Sequence, residues 1–162
     1  MLDEVLGGIG LEWLGHSGFR ITAGKATIYV DPYRLNAAAA ASPADLILIT
    51  HGHYDHFSLQ DVERVSSERT WLIAPAAVAE RAGGQVLAIA PGEAIEPDFV
   101  RGLDLRAVAA YNTSKHDEDG NLFHPRAAGC VGYELNLQGR RVYHAGDTDV
   151  IPEMDDVAGA DV

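Results

Sequence analysis

The sequence predicts an α+β protein, a sandwich of two β sheets with helices on the outer faces (αββα). Three observations predict it. Short apolar runs parted by glycine-containing turns dominate the first fifty residues. Two helical patterns then alternate with strand-like runs between Ser58 and Ile89. A second group of strands, ending in a hairpin, follows from Leu103.

Each element has a local reason. Leu11 to Leu14, Gly18 to Ile21 and Ala26 to Val30 read as three short strands. The run Ala37 to Ala41 before Ser42-Pro43 reads as a loop or short helix near a site entrance. Asp45 to Thr50 carries four consecutive apolar residues and reads as a buried strand. Ser58 to Val65 reads as a helix, with Ser58 as N-cap, Asp61 three residues on, and Leu59, Val62 and Val65 at helical spacing. Thr70 to Ala74 is a strand, and Ala76 to Ala82 a helix closed by Gly83-Gly84. Val86 to Ile89 is a strand, after which Pro91-Gly92 turns the chain. Leu103 to Ala109 alternates as a half-buried strand. Tyr111 to Arg126 is polar and aperiodic, and loops of that length are often functional. Val131 to Leu137 and Arg140 to His144 pair across Gln138-Gly139, and Ile151 to Val157 reads as a short helix.

Composition narrows the function. At 162 residues the chain suits one domain with a sizeable core. Its 47% apolar content is that of a globular protein, and no apolar run approaches the ~18–20 residues of a membrane span. The start, Met1-Leu2-Asp3-Glu4, lacks the basic and apolar regions of a signal peptide. The lone Cys130 has no partner for an internal disulfide and reads as core, so a cytoplasmic location is the default expectation. A net charge of −12, with lysine only at positions 25 and 115, argues against a nucleic-acid surface. It is read as a solvated acidic exterior.

The chemistry concentrates in His51-Gly52-His53-Tyr54-Asp55-His56, directly after the Leu46–Thr50 run. Imidazole and carboxylate are the ligands that zinc and related divalent metals prefer. His51 and His53 are two apart, so an extended backbone points both the same way. Asp55 and His56 follow where the chain must turn, and can serve a second point nearby. One segment can therefore feed two adjacent cations, which in two-metal hydrolytic sites stand ~3.5–4 Å apart.

His51-x-His53-x-Asp55-His56 resembles the His-x-His-x-Asp-His signature of the metallo-β-lactamase-fold hydrolases. Tyr143-His144-Ala145-Gly146-Asp147-Thr148-Asp149 resembles the Gly-Asp-Thr motif of that superfamily. Trp13 to Phe19 and Val30-Asp31-Pro32-Tyr33 are similar to the branch of small prokaryotic metal-dependent hydrolases that includes the ascorbate-phosphate lactonase-like proteins. The resemblance runs from about Leu11 to Val162.

The resemblance implies residue roles. His51 and His53 would serve a first metal, Asp55 and His56 a second, and Asp147 would bridge them. The first needs one more histidine, and His124, beside Pro125, is preferred over His116 in its charged tip. Tyr111-Asn112 stands where many relatives carry that histidine. His16 and Asp31 would orient ligands, or in bland terms sit in turns; His144 would be structural or touch substrate. Tyr33, Tyr111 and Asn112 are candidate pocket residues. The local alternative for Asp147, Thr148 and Asp149 is a turn or helix cap.

Family members continue past Gly-Asp-Thr to a last histidine ligand, and no histidine follows His144 here. The expectation is one metallo-β-lactamase-like domain over residues 1–162, C-terminally incomplete, with a homodimer as one way to cover exposed apolar surface. A water, His144 or a neighbouring subunit would then fill the gap.

The expected activity is metal-dependent hydrolysis of a small ester, lactone or phosphoester by a metal-held hydroxide, with Asp55 as the catalytic carboxylate. The cofactors would be two divalent ions, zinc first, with manganese, iron or nickel as alternatives. The partner would be a small-molecule substrate, with neither nucleic acid nor membrane. The rival is a noncatalytic or single-metal protein holding an ion at His51, His53 and His124.

Overall fold

The computed structural model of the chain describes residues 3–162. Met1 and Leu2, part of the acidic start read above, lie outside the described residues. The first sheet holds seven strands in sequence order: β1 (Asp3–Leu6), β2 (Ile9–Gly15), β3 (Gly18–Ala23), β4 (Ala26–Val30), β5 (Leu46–Leu48), β6 (Trp71–Ala74) and β7 (Gln85–Ala88). β1 to β4 form an antiparallel meander, whereas β4 to β7 run parallel. Parallel neighbours need crossovers. Helix α1 (Leu59–Val65) makes one between β5 and β6, and α2 (Ala76–Ala79) the next.

The second sheet holds four antiparallel strands in the order β11-β10-β9-β8, namely β8 (Ala94–Ile95), β9 (Leu103–Ala109), β10 (Val131–Leu137) and β11 (Arg140–His144).

Strand alternation builds two cores. Ile28, Val30, Leu46, Leu48 and Ile73 face the second sheet and meet Leu105, Ala107, Val131, Tyr133 and Leu135. The intervening residues Tyr29, Ile47, Ile49, Leu72 and Ala74 face the other way, onto Val62 and Val65 of α1 and Val78 of α2. Burial on both faces explains why β5 reads as an unbroken apolar run. The outer face of the second sheet carries the 3-10 turn Pro152–Val157, where Arg106 donates to the Asp156 carbonyl.

Ser58 caps α1 as the sequence predicts, its hydroxyl accepting from Asp61 N. The helix expected to Ala82 ends as regular structure at Ala79, and its Pro75 cap offers no side-chain bond. β1 and β8 were not expected. The first is partly charged and the second has two residues, so strand pairing rather than local pattern makes them. The alanine run is a set of turns with Ala39 buried against Tyr29, whose hydroxyl reaches the Ala39 and Ser42 carbonyls. It belongs to the helix side of the first sheet, because burying Tyr29 requires an acceptor there. Cys130 is half-buried, and burial pushes its thiol up.

Two contacts weld the sheets beside the histidine motif. Tyr133, fully buried, turns its hydroxyl to the carbonyls of Ile49 and Ile73. Val131 N donates to the Thr50 carbonyl at 3.0 Å. Gly146, at φ +63°, lets the β11 exit lie against this weld; a Cβ there would stand 2.8 Å from the Val131 carbonyl. The carboxyl ends of β4, β5 and β11 thereby converge.

Candidate metal centre

The centre is built on Asp31 and Thr50, at the ends of β4 and β5. Asp31 is fully buried and adopts φ +44°. Its carboxylate accepts from Thr50 N at 2.8 Å, Thr50 Oγ1 at 2.6 Å and His56 Nδ1 at 2.7 Å. The Thr50 hydroxyl has spent its proton on Asp31, so it accepts from His51 Nδ1 at 3.0 Å. That leaves His51 Nε2 as a bare lone pair.

His124 arrives from the long loop by a parallel device. Its Nδ1 donates to Asn112 Oδ1 at 2.8 Å, which leaves its Nε2 bare. The Asn112 amide is itself oriented, because its Nδ2 donates to Asp149 Oδ1 at 3.1 Å. His51 Nε2, His53 Nδ1 and His124 Nε2 stand 3.0–3.2 Å from one another. Burial, with His56, His124 and His53 adding to it, pushes the His51 imidazole down to about 2. Burial also lowers His124, against the pull of Asp147.

A second cluster adjoins the first. His56 is buried, and its Nε2 has no hydrogen-bond partner, although Asp147 Oδ1 lies 3.3 Å away. Burial works against a positive His56, yet Asp31 first, then Asp147 and Asp55, raise it above the ordinary histidine value. This spot therefore favours positive charge. Asp147 leans to both clusters, with its Oδ2 3.7 Å from His124 Nε2. His16 Nε2 stands 3.1 Å from Asp55 Oδ2, and the His16 ring meets His56 edge to face.

The donor set fits divalent cations. Two bare imidazole nitrogens 3.2 Å apart repel unless a positive charge lies among them. A buried nitrogen without a partner, flanked by carboxylates, makes the same demand. Among the described residues, three groups offer ligand atoms within 4.8 Å of one another: His51, His53 and His124; His51, His56 and Asp147; and His16, Asp55 and His56.

The sequence pattern of the beta-lactamase superfamily domain matches residues 10–162. The chain belongs to that superfamily. It is 35% identical over 154 residues to a metal-dependent hydrolase of Methanopyrus kandleri, covering 89% of this chain and 64% of that protein. A Methanosphaera stadtmanae metal-dependent hydrolase is 30% identical over 162 residues, covering 92% of this chain and 66% of the relative. The chain thus spans just under two thirds of these relatives' length. Among solved structures, a protein from Parabacteroides distasonis assigned as a metal-dependent hydrolase superposes with TM-score 0.76 at 32% identity, over 91% of this chain and 64% of its own.

The remaining predicted residues fall in different places. His116 lies on the exposed tip outside the three metal-ligand groups, its Nδ1 bonded instead to the Ser114 carbonyl at 2.8 Å. His144 uses both ring nitrogens on backbone: Nε2 donates to the Ser17 carbonyl at 2.8 Å and Nδ1 accepts from Gly146 N at 3.2 Å. It is a strut that ties β11 to the β2–β3 turn, and a substrate contact has no free nitrogen to use. Tyr111 donates to Glu153 behind the loop, while Tyr33 packs edge-on against His16 and Tyr54.

Sequence reasoning missed Thr50 and Asp149. Asp149 accepts from the backbone of Thr113 and Ser114 and from both their hydroxyls, and pairs with Lys115. Those bonds hold its carboxyl well below the usual carboxylate range. The signal was position: Asp149 follows Asp147 by two, on the same segment. Beside the cluster opens a cleft of about 350 Å³, walled by Asp55, Asp147, Thr148, Phe123 and Lys115.

Proposed function

We propose that this chain is the metal-binding part of a hydrolase that cleaves a small ester, lactone or phosphoester with two divalent cations. The convergence of His51, His53 and His124 nitrogens at 3.0–3.2 Å carries the reading. His51, His53 and His124 would hold the first cation, Asp55 and His56 the second, with Asp147 shared between them. Zinc suits the nitrogen-rich first set; manganese, iron and nickel are alternatives. When bound, such ions polarise a carbonyl or phosphoryl oxygen and make water acidic enough to attack near neutral pH.

The chain's own residues do the rest. Asp55, at the cleft wall, orients the attacking water and accepts its proton. Asp31 keeps His56 in the tautomer with Nε2 facing the site, and Asn112 does the same for His124. Water adds its hydroxyl to the acyl or phosphoryl centre, and the leaving oxygen takes the proton. A cleft of about 350 Å³ suits a small molecule. The exposed ring of Phe123 gives its wall apolar surface, and Lys115 gives it a positive charge that can draw an anionic group.

The test is to strip the protein with a chelator and assay a panel of lactones, carboxylic esters and phosphodiesters before and after adding Zn²⁺, Mn²⁺ or Fe²⁺. Hydrolysis that vanishes on stripping and returns with metal is expected. Activity on any substrate that survives stripping, or that Asp55→Ala retains in full, would sink the reading.

A further inference from the structure

We propose that His16 is a ligand of the second cation, sharing it with Asp55, His56 and Asp147. The inference rests on the metal-dependent reading above, but it adds a residue from the far end of the chain.

The first ground is backbone. His16 adopts φ +51°, a region that residues with side chains rarely enter, directly after Gly15 at φ +109°. The turn is held in this form: β2 shifts register against β3 between Trp13 and Gly15, and Trp13 Nε1 donates to the His16 carbonyl at 2.9 Å. A left-handed histidine is not needed to close a two-strand turn, for which glycine suffices. Its effect is to carry an imidazole over the end of the sheet and onto the site.

The second ground is convergence. Ring nitrogens of His16 and His56 and a carboxylate oxygen of Asp55 lie within 4.8 Å of one another. His16 Nε2 is 3.1 Å from Asp55 Oδ2. The nitrogen it faces across this space, His56 Nε2, is buried and has no hydrogen-bond partner. The Tyr33 ring stands edge-on against His16, 5.9 Å between centroids.

The third ground is elimination. The first cation's set uses His51, His53 and His124. His144 spends both nitrogens on backbone, and His116 is bonded on the loop tip. Among this chain's described histidines, His16 is the one that adds a ring nitrogen beside Asp55 and His56.

The experiment is metal stoichiometry and affinity on the full chain, by elemental mass spectrometry and by Co²⁺ titration followed in the visible spectrum. The unaltered protein is expected to take two ions. His16→Gly suits φ +51° and removes only the imidazole; it should keep the first ion and lose the second, whose affinity falls by more than ~100-fold, beyond the ~10–100-fold of an orienting neighbour. Free imidazole should restore the second ion and its cobalt absorption. His16→Ala checks the loss on a side chain of different backbone preference, and circular dichroism checks that both variants fold. Two ions held by His16→Gly with little change in affinity would overturn the assignment and leave the metal-dependent reading standing. An unaltered protein that takes one ion or none would overturn the assignment together with the two-cation reading.

Discussion

The two proposed cation positions are built on opposite principles. The first gathers three imidazoles, and its His51 and His124 are nearly sealed from solvent. Each of these two is aimed by its own buried relay, Asp31–Thr50 on one side and Asp149–Asn112 on the other. The second position is rich in carboxylate and open. The Asp55 and Asp147 side chains are 28% and 40% exposed, and only His56 is anchored from behind. Burial can enforce a nitrogen site because neutral rings tolerate it. A carboxylate site has to stay near water, and the cleft opens on that side. On the proposed reading the first position is preformed, and the second is where substrate and solvent would meet.

The largest test of the comparison is the residue common to both. Asp31→Ala removes one buried carboxylate and strands Thr50 N, Thr50 Oγ1 and His56 Nδ1. It should cost about 3–5 kcal/mol of stability. Chemical denaturation reads the loss, and both ions should leave together. If the second ion alone were lost, the Asp31–Thr50–His51 relay would not be what shapes the first position.

Asp55→Ala should separate the two. Hydrolysis of any substrate found by screening is expected to fall at least ~100-fold, in the range lost with a proton-transfer group. The first ion should stay, as elemental analysis will show. Loss of both ions would mean that the positions are not independent.

A relay can then be broken on the first side only. Asn112→Leu removes the acceptor of His124 Nδ1 and the donor to Asp149. First-ion affinity should drop ~10–100-fold, with the second unchanged, in calorimetric zinc titrations. The smallest effect belongs to Asp149→Asn, one step further back. It keeps the size but weakens the charge-assisted bonds that hold residues 112–115. A drop of a few-fold in first-ion affinity is expected. An effect as large as that of Asn112→Leu would show that the loop, not the amide, aims His124.

Much of this was legible in residues. The cap at Ser58, the apolar run before Thr50 and the turn at Gln138-Gly139 are local, and each forms where its pattern says. His51 and His53 were legible because two-residue spacing fixes a shared direction. The relays were not. Asn112 and His124 meet across twelve residues of aperiodic loop, and nothing periodic marks either of them. Asp31 was expected to orient a ligand, but Thr50 as its intermediary is a matter of parallel strand register, which places Val30 beside Leu48. His144 shows the converse, a histidine in a suggestive motif whose nitrogens the backbone consumes.

By itself the sequence determined the family, the two-sheet layering and the short segment that carries four of the candidate ligands, because these follow from hydrophobic period and from groups adjacent along the chain. The tertiary structure alone decided that His124 rather than His116 reaches His51, that His16 faces Asp55 across thirty-eight intervening positions, and which imidazole nitrogens are bare. Those outcomes depend on hydrogen bonds between residues far apart in the chain, and only the folded backbone sets their distances.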